Sequence, residues 1–190
     1  NITAEVCVHH LFFNEADYET QGSLIKCNPA VKSAADQHAL LDAVRNDVLD
    51  IIATDHAPHT WEEKQNSYFK APSGVPLVQH SLQALLELYH NGVFSLETIV
   101  KKTSHAVAER FQVQDRGYIR EGYFADLVLL DLGKPYVVND SNLLYLCGWS
   151  PFNGYRFQST IEMTLVNGQI AWQNGQVTDQ VLGKRLTFNR

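Results

Sequence analysis

The stretch from Ser33 to His59 constrains the fold more than any other part of the chain. Ser33 stands three residues before Asp36, a capping-box-like start, and Leu40, Leu41 and Val44 then recur on one helical face. This spacing predicts a helix of about three turns. It leads directly into Val48, Leu49, Ile51, Ile52 and Ala53, a short apolar run closed by polar Thr54 and Asp55, as expected of a strand covered on both faces. A helix feeding a buried strand is the logic of an α/β fold. In parallel α/β folds the carboxyl ends of strands are where sites are built, so attention falls on Asp55.

Elsewhere the pattern is coarser. Ile2 to Phe13 is rich in β-branched and aromatic residues and predicts one strand, with Asn14 to Tyr18 opening a long polar loop. After a polar loop from His56 to Lys70, Val78, Leu82, Leu85, Leu86 and Tyr89 recur at helical spacing until Asn91-Gly92 stops them. A second helix starts after Ser95 and carries Leu96, Ile99, Val100, Val107 and Phe111 on one face. Past Gly117 the period changes. Leu127 to Leu130 reads as a strand, and Asn167-Gly168 and Asn174-Gly175 are hairpin signals beside the strand-like runs Ile161 to Val166 and Ile170 to Trp172. The expectation is an α/β unit over residues 1–116 with a β-rich unit over residues 117–190.

Composition removes several function classes. With 45% hydrophobic residues among 190, the chain can bury a core, which argues against disorder. A formal charge of −6 without a Lys/Arg cluster argues against nucleic acid as a partner. No apolar run is long enough for a membrane helix and no signal-peptide layout opens the chain, so a cytoplasmic protein is expected. Cys7, Cys27 and Cys147 are odd in number and lack CxxC spacing, and are expected to be buried free thiols. The only methionine is Met163 and the chain opens at Asn1, from which a piece of a longer polypeptide is expected.

An aspartate at the end of a buried strand can ligate a divalent metal through one oxygen and accept a proton from an attacking water. His59 follows in a turn shaped by Pro58, within reach of a substrate carbonyl or carboxylate. On spacing alone, Asp55 serves equally well as a cap for the following turn, with solvated histidines beside it.

The wider sequence is more specific. The segment Ala53-Thr54-Asp55-His56-Ala57-Pro58-His59 resembles the motif after the eighth barrel strand of cyclic amidohydrolases, the dihydroorotase family in particular. Ile2-Thr3-Ala4-Glu5-Val6 with His9-His10-Leu11, Lys26-Cys27-Asn28-Pro29, Ala71-Pro72-Ser73-Gly74, Ala125-Asp126-Leu127-Val128, Ser150-Pro151-Phe152 and Leu165-Val166-Asn167-Gly168 match further blocks in order. The likeness covers nearly the whole chain, and Asn28 before proline favours dihydroorotase over hydantoinases, allantoinase or dihydropyrimidinase. The resemblance implies a metal-dependent TIM barrel with a composite β-sandwich, of which this chain supplies roughly the last two barrel strands and the C-terminal sandwich portion.

It also implies roles. Asp55 would bind zinc and act as general base, taking the proton of the attacking water and delivering it to the leaving ring nitrogen. Asn28 and His59 would hold dihydroorotate, and Ser73 and Gly74 would meet its ring through backbone groups. The reverse reaction would close N-carbamoyl-aspartate in pyrimidine biosynthesis. The chain departs from the family at Ala30, Lys32 and Ser73, where a second proline, an arginine and a phenylalanine are usual. Of these, Lys32 keeps the charge but loses the guanidinium fork.

The larger departure is the absence of a His-x-His pair. Read as adjacent residues of one strand, His9 and His10 point to opposite faces and cannot share a metal, so they read as structural. The remaining zinc ligands, for one or two ions, are expected upstream of Asn1. One carboxylate cannot retain zinc tightly, and the chain by itself is expected to be inactive. His38, His80 and His90 read as surface or satisfied core groups, His105 is assigned no function, and Trp149, Phe152, Tyr155 and Phe157 read as sandwich packing. A part-barrel exposes strand edges, so a homo-oligomer, another chain or the missing upstream segment is expected to cover them. A non-catalytic homologue serving as a structural partner is the alternative of a different class.

Overall fold

The computed structural model describes residues 2–178, 180 and 182–189 and shows a mixed α/β chain. Strand β1 spans Glu5–Cys7 and passes at once into helix α1, Val8–Phe12. The expected strand over Ile2 to Phe13 is therefore corrected to three strand residues and a helical turn. Tertiary packing overrides β-propensity here: Val8 and Leu11 are fully buried, and Phe12 and Phe13 set their rings 5.0 and 5.4 Å from that of Phe152. The polar stretch that follows is not loop alone, because a turn over Glu15–Asp17, helix α2 over Tyr18–Gln21 and a turn over Gly22–Ile25 carry the chain across.

Helix α3, Ala34–Arg45, has the predicted capping box, with Ser33 Oγ accepting from the Asp36 amide and the Asp36 carboxylate accepting from the Ser33 amide. Leu41 and Val44 form its buried face against α1. Strand β2, Ile51–Ala53, is shorter than the apolar run and pairs in parallel with β1, Glu5 opposite Ile51 and Cys7 opposite Ala53. Val48 is left exposed because Val48 and Leu49 turn back to the end of α3, their amides both bonded to the Ala43 carbonyl.

Helix α4, Trp61–Lys64, lies within the polar loop. Helix α5 spans Ser81–His90, and its Ala84, Leu85, Leu86 and Leu88 are buried. Each fully buried leucine of this kind contributes about 1.5–3 kcal/mol. Helix α6, Leu96–Val100, runs through a π-helical turn at Lys101–His105 into α7, Ala106–Phe111. In that turn Lys102 is buried, with its Nζ 2.7 Å from Asp47 Oδ1.

Strand β3, Leu127–Asp131, and β4, Tyr136–Val137, precede β5, Arg156–Phe157, which pairs with β4. Strands β6, Thr160–Val166, β7, Gln169–Gln173, and β8, Gln176–Val177, complete an antiparallel sheet in the order β3-β6-β7-β8. Both Asn-Gly turns have the two consecutive positive φ angles their sequence predicts, 54° and 79° at Asn167-Gly168 and 53° and 79° at Asn174-Gly175.

The aromatic cluster is corrected. Phe152 and Phe157 pack in the core shared with β1, α1 and α5, not in the four-stranded sheet. The thiols are corrected as well, since Cys27 is buried while Cys7 and Cys147 are half-buried; all three are free. Among the described residues no helix is long and apolar enough to cross a membrane.

Candidate active site

Strand β2 delivers Asp55 just past its carboxyl end. The backbone there is left-handed, with φ at 45°, a conformation that aspartate tolerates better than most residues. The carboxylate is exposed and makes no hydrogen bond or ion pair among the described residues. It lies close to the end of β1: burial, then Asp55, push the Cys7 thiol up to about 11.

The following residues are pinned to a second segment. His56 bridges to Val75, and its Nδ1 accepts the Leu77 amide at 3.0 Å. His59 sets Nε2 3.1 Å from the Ser73 carbonyl, which can only accept, so this nitrogen carries the proton. Nδ1 then faces Glu63 Oε2 at 3.5 Å.

Gly74 is required where it stands. Its φ is 145°, and a Cβ there would fall inside contact distance of the Ala57 carbonyl and 2.9 Å from His59 Cδ2. Its amide donates to the Lys26 carbonyl at 2.9 Å, joining the loop that carries Asn28. Asn28 and Ser73 are exposed, and the Asn28–Pro29 peptide is cis. His59, Ser73 and Gly74 are thus brought into direct contact. No hydrogen bond joins Asp55 or the Asn28 side chain to them among the described residues.

Sequence reasoning missed the residue that ties these loops together. Lys64 is fully buried, and its Nζ donates to the carbonyls of Lys26, Pro72 and Gly74 at 3.2, 3.1 and 2.9 Å. Its own carbonyl accepts from Ser23 Oγ. Burial lowers its pKa to about 8, so the ammonium persists at neutral pH with its three N–H groups matched by three carbonyls. The only local signal is the Thr60/Glu63 capping box one residue earlier, and nothing in it marks a lysine as buried. Lys26 contributes similarly, with Nζ donating to Tyr68 and Ala71 carbonyls.

A cavity of about 500 Å³ adjoins these loops, lined in part by His56, His59, Thr60, Glu63, Tyr145 and Cys147. Of the five expected site residues it takes in only His59. The indole of Trp149 donates to the His59 carbonyl at 2.7 Å, and so fixes one wall from a segment that composition alone read as sandwich packing.

The remaining histidines differ in their surroundings. His38 is exposed, His90 Nε2 lies 2.7 Å from Ser159 Oγ, and His105 stacks on Tyr118 at 4.1 Å. His80 is fully buried with Nδ1 3.3 Å from Ser150 Oγ, while its Nε2 has no partner among the described residues.

Comparison with known proteins identifies the family. The sequence profile of the amidohydrolase family matches residues 4–171. A dihydroorotase of Halobacterium salinarum is 36% identical over 176 residues, 93% of this chain and 42% of the relative. An allantoinase of Desulfitobacterium hafniense is 29% identical over 98% of this chain and 42% of its own length. Among solved structures, the L-hydantoinase of Arthrobacter aurescens superposes with a TM-score of 0.88 at 28% identity, over 93% of this chain and 40% of that one. The chain spans about two fifths of the length of the relatives it matches.

Proposed function

Because the chain belongs to the amidohydrolase family, we propose that it is the distal part of a dihydroorotase, hydrolysing the ring amide of dihydroorotate reversibly to N-carbamoyl-aspartate. In this reading β1 and β2 are the last two strands of a TIM barrel, and residues 117–190 supply the C-terminal portion of a small β-sandwich. The observation that carries it is the convergence of His59, Ser73 and Gly74 directly after Asp55, held to the stem of the Asn28 loop by Gly74 and Lys64.

The residues divide the work by position. Asp55 holds and moves the proton: its carboxylate takes one from the attacking water and passes it to the departing ring nitrogen. Asn28 and His59 orient the substrate's polar groups, and the Ser73-Gly74 backbone meets the ring, with no side chain at Gly74 to obstruct the approach. Lys64 positions these loops and touches no substrate.

A partner-free carboxylate at a strand end fits one ligand of a zinc ion, which when bound supplies Lewis acidity to the reaction. Among the described residues Asp55 belongs to no cluster of three or more metal-binding side chains, so the other ligands are proposed to come from upstream sequence. That segment, or a second copy of the protein, would also cover the outer edges of the β1–β2 pair.

Dihydroorotase relatives of 30–36% identity recur beside allantoinases at 29%, and Asn28 favours the former. The test is to assay the whole polypeptide carrying this chain against dihydroorotate, allantoin and a dihydropyrimidine, with and without chelator. Chelator-sensitive turnover preferring dihydroorotate is the expected result. Preference for allantoin would reassign the substrate, and no turnover at all would favour a non-catalytic homologue.

A further inference from the structure

Cys7, His9 and His10 take no part in the chemistry assigned to Asp55, and the structure places them differently from the strand expected of their sequence. Because β1 ends at Cys7 and the chain winds into α1, the two histidines share a helical turn, their ring centroids 4.1 Å apart. One donor atom from each of the three residues lies within 4.8 Å of the others.

Two independent features of the imidazoles point to a ligand. His9 is only 2% exposed, and neither of its ring nitrogens has a hydrogen-bond partner among the described residues. An imidazole buried with both nitrogens unpaired is unfavourable unless something binds them. His10 directs Nε2 at the Pro29 carbonyl, 2.9 Å away. A carbonyl can only accept, so Nε2 carries the proton and Nδ1 keeps its lone pair, the arrangement that second-shell carbonyls impose on metal-ligating histidines.

We propose that Cys7, His9 and His10 form a metal site beside Asp55 that does not use its carboxylate, a thiolate and two imidazoles suited to a borderline-soft divalent cation of the zinc class. On binding, the Cys7 S–H bond breaks, the proton goes to solvent and the sulfur electron pair is donated to the cation. Three protein ligands leave a fourth position for solvent. The site does not depend on the dihydroorotase reading, which assigns a role to none of the three.

The test uses the whole polypeptide carrying this chain, stripped of metal and titrated with Co2+. A thiolate-to-cobalt charge-transfer band is expected in the near ultraviolet, lost in Cys7→Ser but kept in Cys27→Ser and Asp55→Asn. His10→Gln, at a half-buried position, should weaken Co2+ binding by about tenfold or more while the fold persists by circular dichroism. This second variant carries the test if Cys7→Ser fails to fold. Absence of the band in the unmodified protein, an undiminished band in Cys7→Ser, or unchanged Co2+ affinity in His10→Gln would each overturn the proposal.

Discussion

The ammonium of Lys64 donates a 2.9 Å hydrogen bond to the Gly74 carbonyl, and through its other two donors reaches Lys26 and Pro72. One side chain therefore ties the stem of the Asn28 loop to residues 72–74. Lys64→Met removes all three donors and takes their partner from the Pro72 and Gly74 carbonyls, while the Lys26 carbonyl keeps the Gly74 amide, so a loss of about 3 kcal/mol is expected. Urea unfolding should show a lower midpoint with an unchanged slope. In the whole polypeptide the same substitution should raise KM for dihydroorotate more than it lowers kcat, since in the proposed function the loops orient substrate and do not transfer its proton.

Asp55→Asn separates chemistry from folding. Asparagine accepts the left-handed backbone that Asp55 adopts, and the carboxylate is exposed without a hydrogen bond, so unfolding free energy should move by less than about 0.5 kcal/mol. Turnover by the whole polypeptide should fall about 10²- to 10⁴-fold, the usual worth of a general base. A variant retaining most of its rate would remove Asp55 from the mechanism.

Gly74→Ala tests the close approach of two segments. The added methyl would meet the Ala57 carbonyl and the His59 ring at a φ of 145°, and a cost of about 1–3 kcal/mol follows from backbone strain alone. The Ala57 backbone and the His59 ring must both shift to relieve it, so weaker substrate binding should accompany the lower thermal midpoint. Unchanged stability would show that the loop carrying Ser73 relaxes freely.

His80 gives a pH signature of stability. Burial lowers its pKa from 6.5 to about 4. The unfolded chain therefore takes up a proton below pH 6.5 that the folded chain refuses until about pH 4, and stability present above 6.5 is lost as pH falls through this window. The loss should approach about 1.4 kcal/mol per pH unit. His80→Phe, which keeps a ring beside Phe152 and Phe157, should flatten the dependence by that amount in denaturant titrations at pH 7 and pH 5. The slope that remains would belong to other buried groups, His9 among them, whose pKa burial also lowers.

The parts of this molecule legible in the sequence are those whose cause is local. The Ser33/Asp36 box starts α3 because the donor and acceptor sit three residues apart. The Asn-Gly turns close because two consecutive residues tolerate positive φ. Asp55 was conspicuous because an apolar run ends beside it. What escaped was non-local. Nothing near Val8 predicts a helix, since its reason is the Phe152 ring that α1 packs against. Nothing near Lys64 predicts burial, since the three carbonyls that make it tolerable come from other loops. The strand assumed for His9 and His10 also hid their proximity, because a period of two separates neighbours that a helical turn brings together.

The pairing of Glu5 with Ile51, set against the two-residue Asn-Gly links of β6, β7 and β8, imposes an order of assembly. Hairpins of the latter kind close in about 1–10 μs, with little chain to restrain. The parallel pair must first gather α3 and the turns before it, and the loop-closure entropy of that whole segment opposes the first contact. On entropy alone the meander, although last in sequence, is expected to form early and the β1–β2 pair that carries Asp55 late. Until it does, Asp55 has no strand end to stand on, so catalytic competence would trail the appearance of secondary structure during refolding.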